Sequence, residues 1–327
     1  MLKAHNILQR AKQTVFGTPV TTATEKLQNV SSFTLQPDLQ TRQVDRLTGT
    51  LAPTHTTTLD YYGSKANFDV SDETFEDVNF WLESLFSSAS PTGTGPYVRS
   101  YAAPLTSVTS PKFMTLQFGQ SGSVMQQQDA SISSLTLSGS NNAGVSVSGT
   151  IIGGKVVAGS LASLADRTGT TRMSGCMASL AIDSWTGTMG ATDVPTSAYA
   201  WELTVSSNRE YLTTIGACTP NKWNDKNWSG QLKLSLDVNT TTQAYLTSIF
   251  AATNAILEKQ IQIKYTVGTG VDLRELIIQF CGHTLSAPDL YADRSGILTY
   301  DLMFSGVYNP TFANWLKIST SSNIASI

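Results

Sequence analysis

The chain has 327 residues, of which 14% are charged, well below the roughly 25% of a typical soluble protein. Its formal net charge is −3 and is spread evenly, which argues against a surface that grips nucleic-acid phosphates. No stretch approaches the ~20 apolar residues of a membrane span or the apolar core of a signal peptide, so we expect neither membrane insertion nor secretion.

The predicted elements begin with an N-terminal arm over residues 1–28. A strand at 30–35 follows, and it leads into a long polar connection over 36–64. The stretch KANFDVSDETFEDVNFWLESLF (65–86) opens with strict alternation of apolar and polar residues, which predicts a half-buried strand. From Ser71, the predicted N-cap, apolar residues recur at helical spacing and predict a short helix with one apolar side.

The stretch QLKLSLDVNTTTQAYLTSIF (231–250) repeats this order. It also runs from an alternating strand through Asp-Val and a cluster of capping residues to an amphipathic segment that ends on Phe. Thr240 and Gln243 have the spacing of a capping box, which predicts the start of a helix. We therefore interpret the two stretches as copies of one structural unit.

Further matches keep the same order along the chain. The corresponding segments are 30–35 with 200–205, 96–101 with 260–265, 113–119 with 276–282, and 144–154 with 296–306. The sequence thus indicates a tandem duplication, with a first domain over 29–165 and a second over 166–327. We expect a mainly β protein, in which two tandem β-sandwich or barrel domains each carry one short α-helix packed on the sheet.

An acidic run surrounds the first predicted helix, and no Lys or Arg occurs between residues 66 and 98. One interpretation is a solvated helix face whose carboxylates complement the helix dipole. The other is a functional surface that repels a polyanion or docks a basic neighbour. The acidic residues are Asp69, Asp72, Glu73, Glu76, Asp77 and Glu83.

Residue types that carry catalysis or bind metals are few and scattered. Cys281 and His283 stand close together, but no further ligand has metal-binding spacing, so we interpret them as packing at a strand end. Three widely spaced cysteines without a CxxC pair indicate free thiols. The sequence therefore predicts no enzyme activity, no catalytic residue, no cofactor and no metal site.

The stretch QTVFGTPVT (13–21) resembles the start of many tail tube proteins of long, non-contractile-tailed bacteriophages. The following order is also similar: a strand, a long polar loop (Arg42–Tyr62), a strand, a short helix and a β-meander. Single-domain members of that family form hexameric rings that stack into a tube around a DNA channel. Members with two tandem tube domains form trimeric rings with pseudo-six-fold symmetry. The apparent duplication makes the chain similar to the second group.

This resemblance implies a structural subunit of the virion tail that is made in the cytoplasm of the host bacterium. Its expected partners are other copies of itself, the tape-measure protein, the tail-tip and terminator proteins, and double-stranded DNA in transit. The alternative is another tail or baseplate component, or a β-rich receptor-binding module. Such a module would present clustered exposed aromatic residues and form discrete oligomers instead of tubes.

Long connections are rarely without a role in a compact domain, so the arm and the segments 36–62 and 206–229 are candidates for contacts between stacked rings. Two tryptophans in a polar loop suit an interface, although folding back onto the protein's own sheet explains them equally well. The contact candidates are Arg42, Arg46, His55, Tyr61, Tyr62, Trp223 and Trp228. A channel that lets phosphates pass must expose few cations. The predicted lumen residues are Asp237, Gln262 and Asp301, although lysines at 233 and 264 argue against a simple acidic lining.

Overall fold

The computed structural model describes residues 6–45, 55–87, 89–107, 110–194, 198–251, 257–284, 289–294 and 297–325. Strands account for 56% of the chain and helices for 8%. The sheets are large and antiparallel. The predicted mainly β fold class is therefore confirmed.

The first half of the described chain alternates long strands with one short helix. In chain order the elements are β1 (Ile7–Lys12), β2 (Glu25–Leu27), β3 (Val30–Asp45), β4 (His55–Val70), α1 (Val78–Leu85), β5 (Tyr97–Ala102), β6 (Met114–Gln120), β7 (Ser123–Ser140), β8 (Ser146–Gly153) and β9 (Val156–Ala158). An irregular connector then leads to the second half.

The second half has a similar make-up. Its elements are β10 (Ala178–Ser184), β11 (Ala198–Ser206), β12 (Glu210–Leu212), β13 (Lys222–Asn224), β14 (Ser229–Asp237), α2 (Thr240–Ala251), β15 (Glu258–Val267), β16 (Arg274–Thr284), β17 (Asp289–Arg294), β18 (Ile297–Gly306) and β19 (Leu316–Ser322). Short 3-10 turns at Gly175–Met177 and Gly270–Asp272 precede β10 and β16.

Eight strands form one continuous antiparallel run in the order β3-β4-β8-β7-β11-β14-β18-β17. The first four strands (β3-β4-β8-β7) and the last four (β11-β14-β18-β17) follow the same pattern. In each set the second strand leads into the helix, α1 after β4 and α2 after β14. Each set also has a β-bulge near the start of its first strand, between Val30 and Ser32 in one and between Ala198 and Ala200 in the other. The two sets meet where β7 pairs with β11.

A second layer consists of two smaller groups of strands. One has the order β2-β1-β6-β7-β9, and the other has the order β10-β15-β16-β19-β5. Strand β5 belongs to the first half of the sequence but pairs with β19 of the second. Strand pairing thus crosses the predicted boundary between 165 and 166, and that division into domains stays a prediction.

The core lies between the layers and follows the alternation seen in the sequence. Ala66, Phe68 and Val70 of β4 are buried, and Leu232, Leu234 and Leu236 of β14 are buried at the matching positions. Full burial of one such side chain stabilises a fold by roughly 1.5–3 kcal/mol. The two alternating strands predicted here are therefore core strands.

The prediction of a polar connection over residues 36–64 is wrong. Strands β3 and β4 pair along their whole length, from Val30 opposite Val70 to Asp45 opposite His55, so this region is a long hairpin. Its outer part is rich in threonine, a residue with high strand propensity. Because both faces of its described part are exposed, the sequence shows no apolar alternation there and predicts a loop.

The predicted helix starts also need correction. Helix α1 begins at Val78, well after Ser71, and Thr74 Oγ1 accepts a hydrogen bond from the Asp77 N–H (3.0 Å) in the turn before it. Helix α2 is capped by Asn239, whose Oδ1 accepts from the N–H of Thr242 (3.0 Å). The Thr242 hydroxyl in turn accepts from the Asn239 N–H (3.0 Å), so the capping box begins one residue before Thr240.

Part of the predicted N-terminal arm is built into the fold. Strand β1 pairs with β2 on one edge and β6 on the other, and Leu8 and Arg10 are buried. The Gly17 N–H and the Gln13 amide both donate to the carboxylate of Asp129. The stretch QTVFGTPVT is therefore anchored to the first half of the molecule.

Candidate functional site

The face of the eight-stranded run that points away from the core is polar. Hydroxyl and amide side chains of neighbouring strands bond across it: Thr136 with Thr204 (3.1 Å), Ser138 with Ser146 (2.7 Å), and Thr150 with Asn67 (3.1 Å). We call this surface the polar face. Among the side chains that the structure describes, its charged residues are Asp38, Lys65, Asp69, Glu202, Lys233, Asp237 and Asp301.

Two of the three predicted lumen residues share the polar face. Asp237 lies at the end of β14 and accepts a hydrogen bond from the Tyr199 hydroxyl (3.4 Å). Asp301 lies on β18, 2.8 Å from the ammonium group of Lys233. Gln262 lies on β15 in the second layer, where the Gln279 amide donates to its side-chain oxygen (3.0 Å). The structure therefore brings Asp237 and Asp301 onto one surface and leaves Gln262 apart from them.

The eight-stranded run ends in two strands that each have one paired edge. Among the described residues, β3 pairs with β4 and β17 pairs with β18. An open edge exposes unsatisfied N–H and C=O groups and invites pairing with another strand. Pro37 in β3 fits an edge strand, because proline has no N–H to donate to a ladder.

The outer half of the β3–β4 hairpin is a two-stranded ribbon. Strand β8 pairs with β4 only from Ser64 onward, so the ribbon extends beyond the sheet. Leu39 and Leu59 on it are 54% and 42% exposed. An isolated two-stranded ribbon is only marginally stable in water, so this segment is suited to being covered by a partner.

The predicted contact residues in the first hairpin have different surroundings. The Arg42 guanidinium lies 3.6 Å from Asp60 on the ribbon. The Tyr62 hydroxyl donates to the Val156 carbonyl (2.6 Å) at the base of the ribbon, and Tyr61 beside it is half-buried. Burial raises the pKa of Tyr61. Arg46 and the side chain of His55 lie outside the described residues.

The segment 206–229 folds back onto the first half of the chain. The Trp223 ring packs against Phe113 with centroids 5.5 Å apart, and the Trp228 ring packs against Phe86 at 5.3 Å. Both rings are half-buried. Of the two interpretations of these tryptophans, the structure shows the intramolecular one, and a contact with a neighbouring subunit stays a prediction.

Arg209 fixes that segment to the end of α1. Its guanidinium is fully buried, forms a bidentate ion pair with Asp225 (2.6 and 3.0 Å), and donates to the carbonyls of Ser84 and Leu85. A cation at a helix C-terminus satisfies carbonyls that have no partner within the helix. Sequence reasoning missed Arg209, because a single arginine in a polar loop carries no local signal of burial.

Four residues of the acidic run around α1 are buried inside the protein. Glu73, Glu76, Asp77 and Glu83 are buried. Cations from three distant segments lie beside them: Lys12 with Glu83 (3.0 Å), Arg274 with Glu76 (2.8 Å) and Arg167 with Asp77 (3.7 Å). The interpretation as a solvated helix face is therefore wrong for these residues. The interpretation as a surface that repels a polyanion is wrong for them as well.

Glu73 differs from the other buried acids. Its carboxylate accepts hydrogen bonds from the Trp81 indole N–H (2.8 Å) and from the Thr74 N–H (2.8 Å). Burial, opposed in part by these bonds, raises the pKa of Glu73 to about 8. In the folded state this carboxyl therefore takes up a proton more readily than in the unfolded chain.

Cys281 and His283 occupy the end of β16. Burial raises the pKa of the Cys281 thiol to about 12, which keeps it in its unreactive protonated form. Within the part of the chain that the structure describes, no three His, Cys, Asp or Glu residues are placed to hold a metal ion. The same part contains no helix that is long and apolar enough to cross a membrane.

Comparison with known proteins identifies the family. The sequence model of the phage tail tube protein family matches residues 4–306, nearly the whole chain. A search of curated proteins finds no significant match. Members of this family are structural proteins of the virion tail that assemble into its tube. The chain belongs to the phage tail tube protein family.

Proposed function

We propose that the chain forms trimeric rings with pseudo-six-fold symmetry, and that these rings stack into the tail tube through which DNA passes into the host. The observation that carries this proposal is the continuous eight-stranded run. It contains one joint between two matching sets of strands, β7 with β11, and it ends in two open edges, β3 and β17.

The joint inside the chain is a template for the joint between chains. Strand β17 corresponds to β7, and β3 corresponds to β11, by their places in the two sets. Pairing β17 of one copy with β3 of the next repeats the β7–β11 joint and covers both open edges. A head-to-tail contact of this kind closes into a ring when its rotation permits. Because each chain would supply two of six positions, three chains complete the circle. The two sets would then be products of a tandem duplication.

In such a ring the polar face lines the channel. Its cross-strand hydroxyl pairs offer neutral groups to DNA, and its described side chains include five carboxylates and two ammonium groups. Few cations means few released counterions and hence weak binding of phosphates. Asp237 and Asp301 are proposed lumen residues on this ground. Gln262 lies in the second layer, and its place in the lumen stays a prediction.

The ribbon of the β3–β4 hairpin is proposed to contact the adjacent ring. Its exposed Leu39 and Leu59, together with Arg42 and Tyr61, form the described part of that surface. Arg46, His55, Tyr62, Trp223 and Trp228 stay predicted contacts. The tape-measure, tail-tip and terminator proteins are proposed partners at the lumen and the tube ends. We place synthesis in the host cytoplasm and the final location in the virion.

Cysteine cross-linking tests the proposed joint. The matching bulges align Ser32 with Ala200, so Thr34 corresponds to Glu202, which lies opposite Ser138 at the internal joint. Ser138 in turn corresponds to Ala292 on β17. Thr34→Cys with Ala292→Cys, in a chain whose exposed Cys176 and Cys218 are replaced by serine, should oxidise to covalent dimers and trimers.

The matched control is Ser138→Cys with Glu202→Cys, which probes the internal joint and should form a disulfide within one chain. A ladder that ends at the trimer supports the proposal. A ladder that continues to six chains would contradict the trimeric ring. If the control disulfide forms within one chain but the Thr34→Cys and Ala292→Cys variant gives no cross-link between chains, the β17–β3 joint is contradicted.

A further inference from the structure

We infer that carboxylates on adjacent strands shield the lysines of the polar face, and that Glu202, Asp301 and Asp38 thereby keep this face from adhering to a polyanion such as duplex DNA. The inference rests on the proposed function, because it concerns what the polar face does when it lines a channel.

Lys233 is the most enclosed of these cations. It lies on β14 between two strands that each bring a carboxylate. The Asp301 carboxylate of β18 is 2.8 Å from its ammonium group, and Glu202 of β11 is directly opposite in the strand register. Asp301 is largely buried, so its side chain is held in place. A phosphate that approaches Lys233 must compete with two negative charges that are already there.

Lys65 repeats the arrangement on the corresponding strand of the first set. Its ammonium group lies 3.1 Å from the Asp38 carboxylate on β3. Both described lysines of the polar face are thus paired with a carboxylate of a neighbouring strand. An exposed ion pair of this kind adds little to stability. Its effect on the surface is larger, because it removes a cation from the potential that a passing polyanion experiences.

The polar face also carries carboxylates that form no ion pair with any cation in the described part of the chain. Asp69 accepts a hydrogen bond from the Ser31 hydroxyl (3.0 Å), and Asp237 accepts one from Tyr199. Removing these charges would alter the net charge of the face without exposing a lysine. Substituting one class of carboxylate or the other therefore distinguishes the effect of shielding a lysine from the effect of net charge.

The test compares two double variants assembled into tubes. Glu202→Gln with Asp301→Asn exposes Lys233, and Asp69→Asn with Asp237→Asn removes the same number of charges while leaving Lys233 shielded. Tubes are sedimented with a short fluorescent DNA duplex, and the retained duplex is measured at low and moderate salt. With three exposed lysines per ring, the binding constant of the first variant for the duplex, taken from retention at subsaturating duplex, should fall roughly 40-fold between ~50 and ~200 mM salt. The wild type and the second variant should retain little duplex at either salt concentration.

A third variant adds Lys233→Gln to the Glu202 and Asp301 substitutions and should return retention to the wild-type level. Equal retention by the two double variants would overturn the inference in favour of net charge. Absence of retention in both, or no reversal by Lys233→Gln, would also overturn it. Negative-stain microscopy of each sample tests tube formation separately. If a variant fails to assemble, duplex anisotropy with the unassembled chain must show the same ranking of variants.

Discussion

Helices α1 and α2 follow corresponding strands, yet their surroundings differ sharply. All eight residues of α1 are buried, and ion pairs and hydrogen bonds tie its ends to both halves of the chain. Helix α2 exposes Thr241, Gln243 and Thr247. Helix α1 packs on β7 at the internal joint. By the correspondence between the two sets, we expect α2 beside β17, at the proposed joint with the next copy. We therefore expect the first unit to be completed within the chain and the second by a neighbouring chain.

Replacing Arg209, which fixes the 206–229 segment to α1, should destabilise the fold most. Arg209→Ala leaves the buried Asp225 carboxylate and helix carbonyls without a partner, so we expect a loss of about 3–5 kcal/mol in the free energy of unfolding. Chemical denaturation measures it. Lys226→Ala, which breaks the exposed pair with Glu210, should cost only about 0–1 kcal/mol. Similar losses for both variants would refute the structural role of Arg209.

A pair of helix substitutions separates folding from assembly. Leu82→Ala opens a cavity under α1 and should lower the free energy of unfolding by about 2–5 kcal/mol. Tyr245→Ala on α2 removes a half-buried ring and its contact with the Lys259 ammonium group. Loss of this cation–π contact should lower the free energy of unfolding by only about 0.5–1 kcal/mol. The same Tyr245 variant should raise the protein concentration needed for tube formation. Unchanged assembly would show that α2 is not at a joint between chains.

The buried carboxyl of Glu73 makes the α1 region sensitive to pH. Because its pKa rises from 4.5 to about 8, the folded state binds more protons than the unfolded state between these values. The Glu73 contribution therefore lowers stability as pH rises through this window, by up to about 1.4 kcal/mol per unit. Glu73→Gln should flatten the measured dependence. If wild type and variant show parallel curves of unfolding free energy against pH, Glu73 does not have a raised pKa.

The smallest expected effect concerns the start of α2. Asn239→Ala removes the side-chain cap and should cost about 1 kcal/mol. Ser71→Ala, at the residue that the sequence indicated as the cap of the first helix, should be neutral, since α1 begins at Val78. Thermal unfolding of both variants measures the difference. If Ser71→Ala destabilises the protein as much as Asn239→Ala does, Ser71 does cap the first helix.

Sequence reasoning predicted the elements whose periodicity reports burial. The alternation in β4 and β14 identified core strands, and alternating Ser and Thr along β7 and β8 could have revealed the polar face. It failed for the β3–β4 ribbon, where both faces are exposed and no periodicity arises. It also failed for the acids around α1, because a partner such as Arg274 lies 198 residues from Glu76. Such pairs depend on topology, which local patterns do not encode.

Cryo-electron microscopy of tubes formed by the purified chain would show the number of chains in a ring and the pairing of their edge strands. We predict rings of three chains, in which each chain contributes eight strands to one closed barrel and the polar face with Asp237 and Asp301 lines the channel. Rings of six chains, or a barrel in which β17 and β3 of neighbouring copies stay unpaired, would contradict the account.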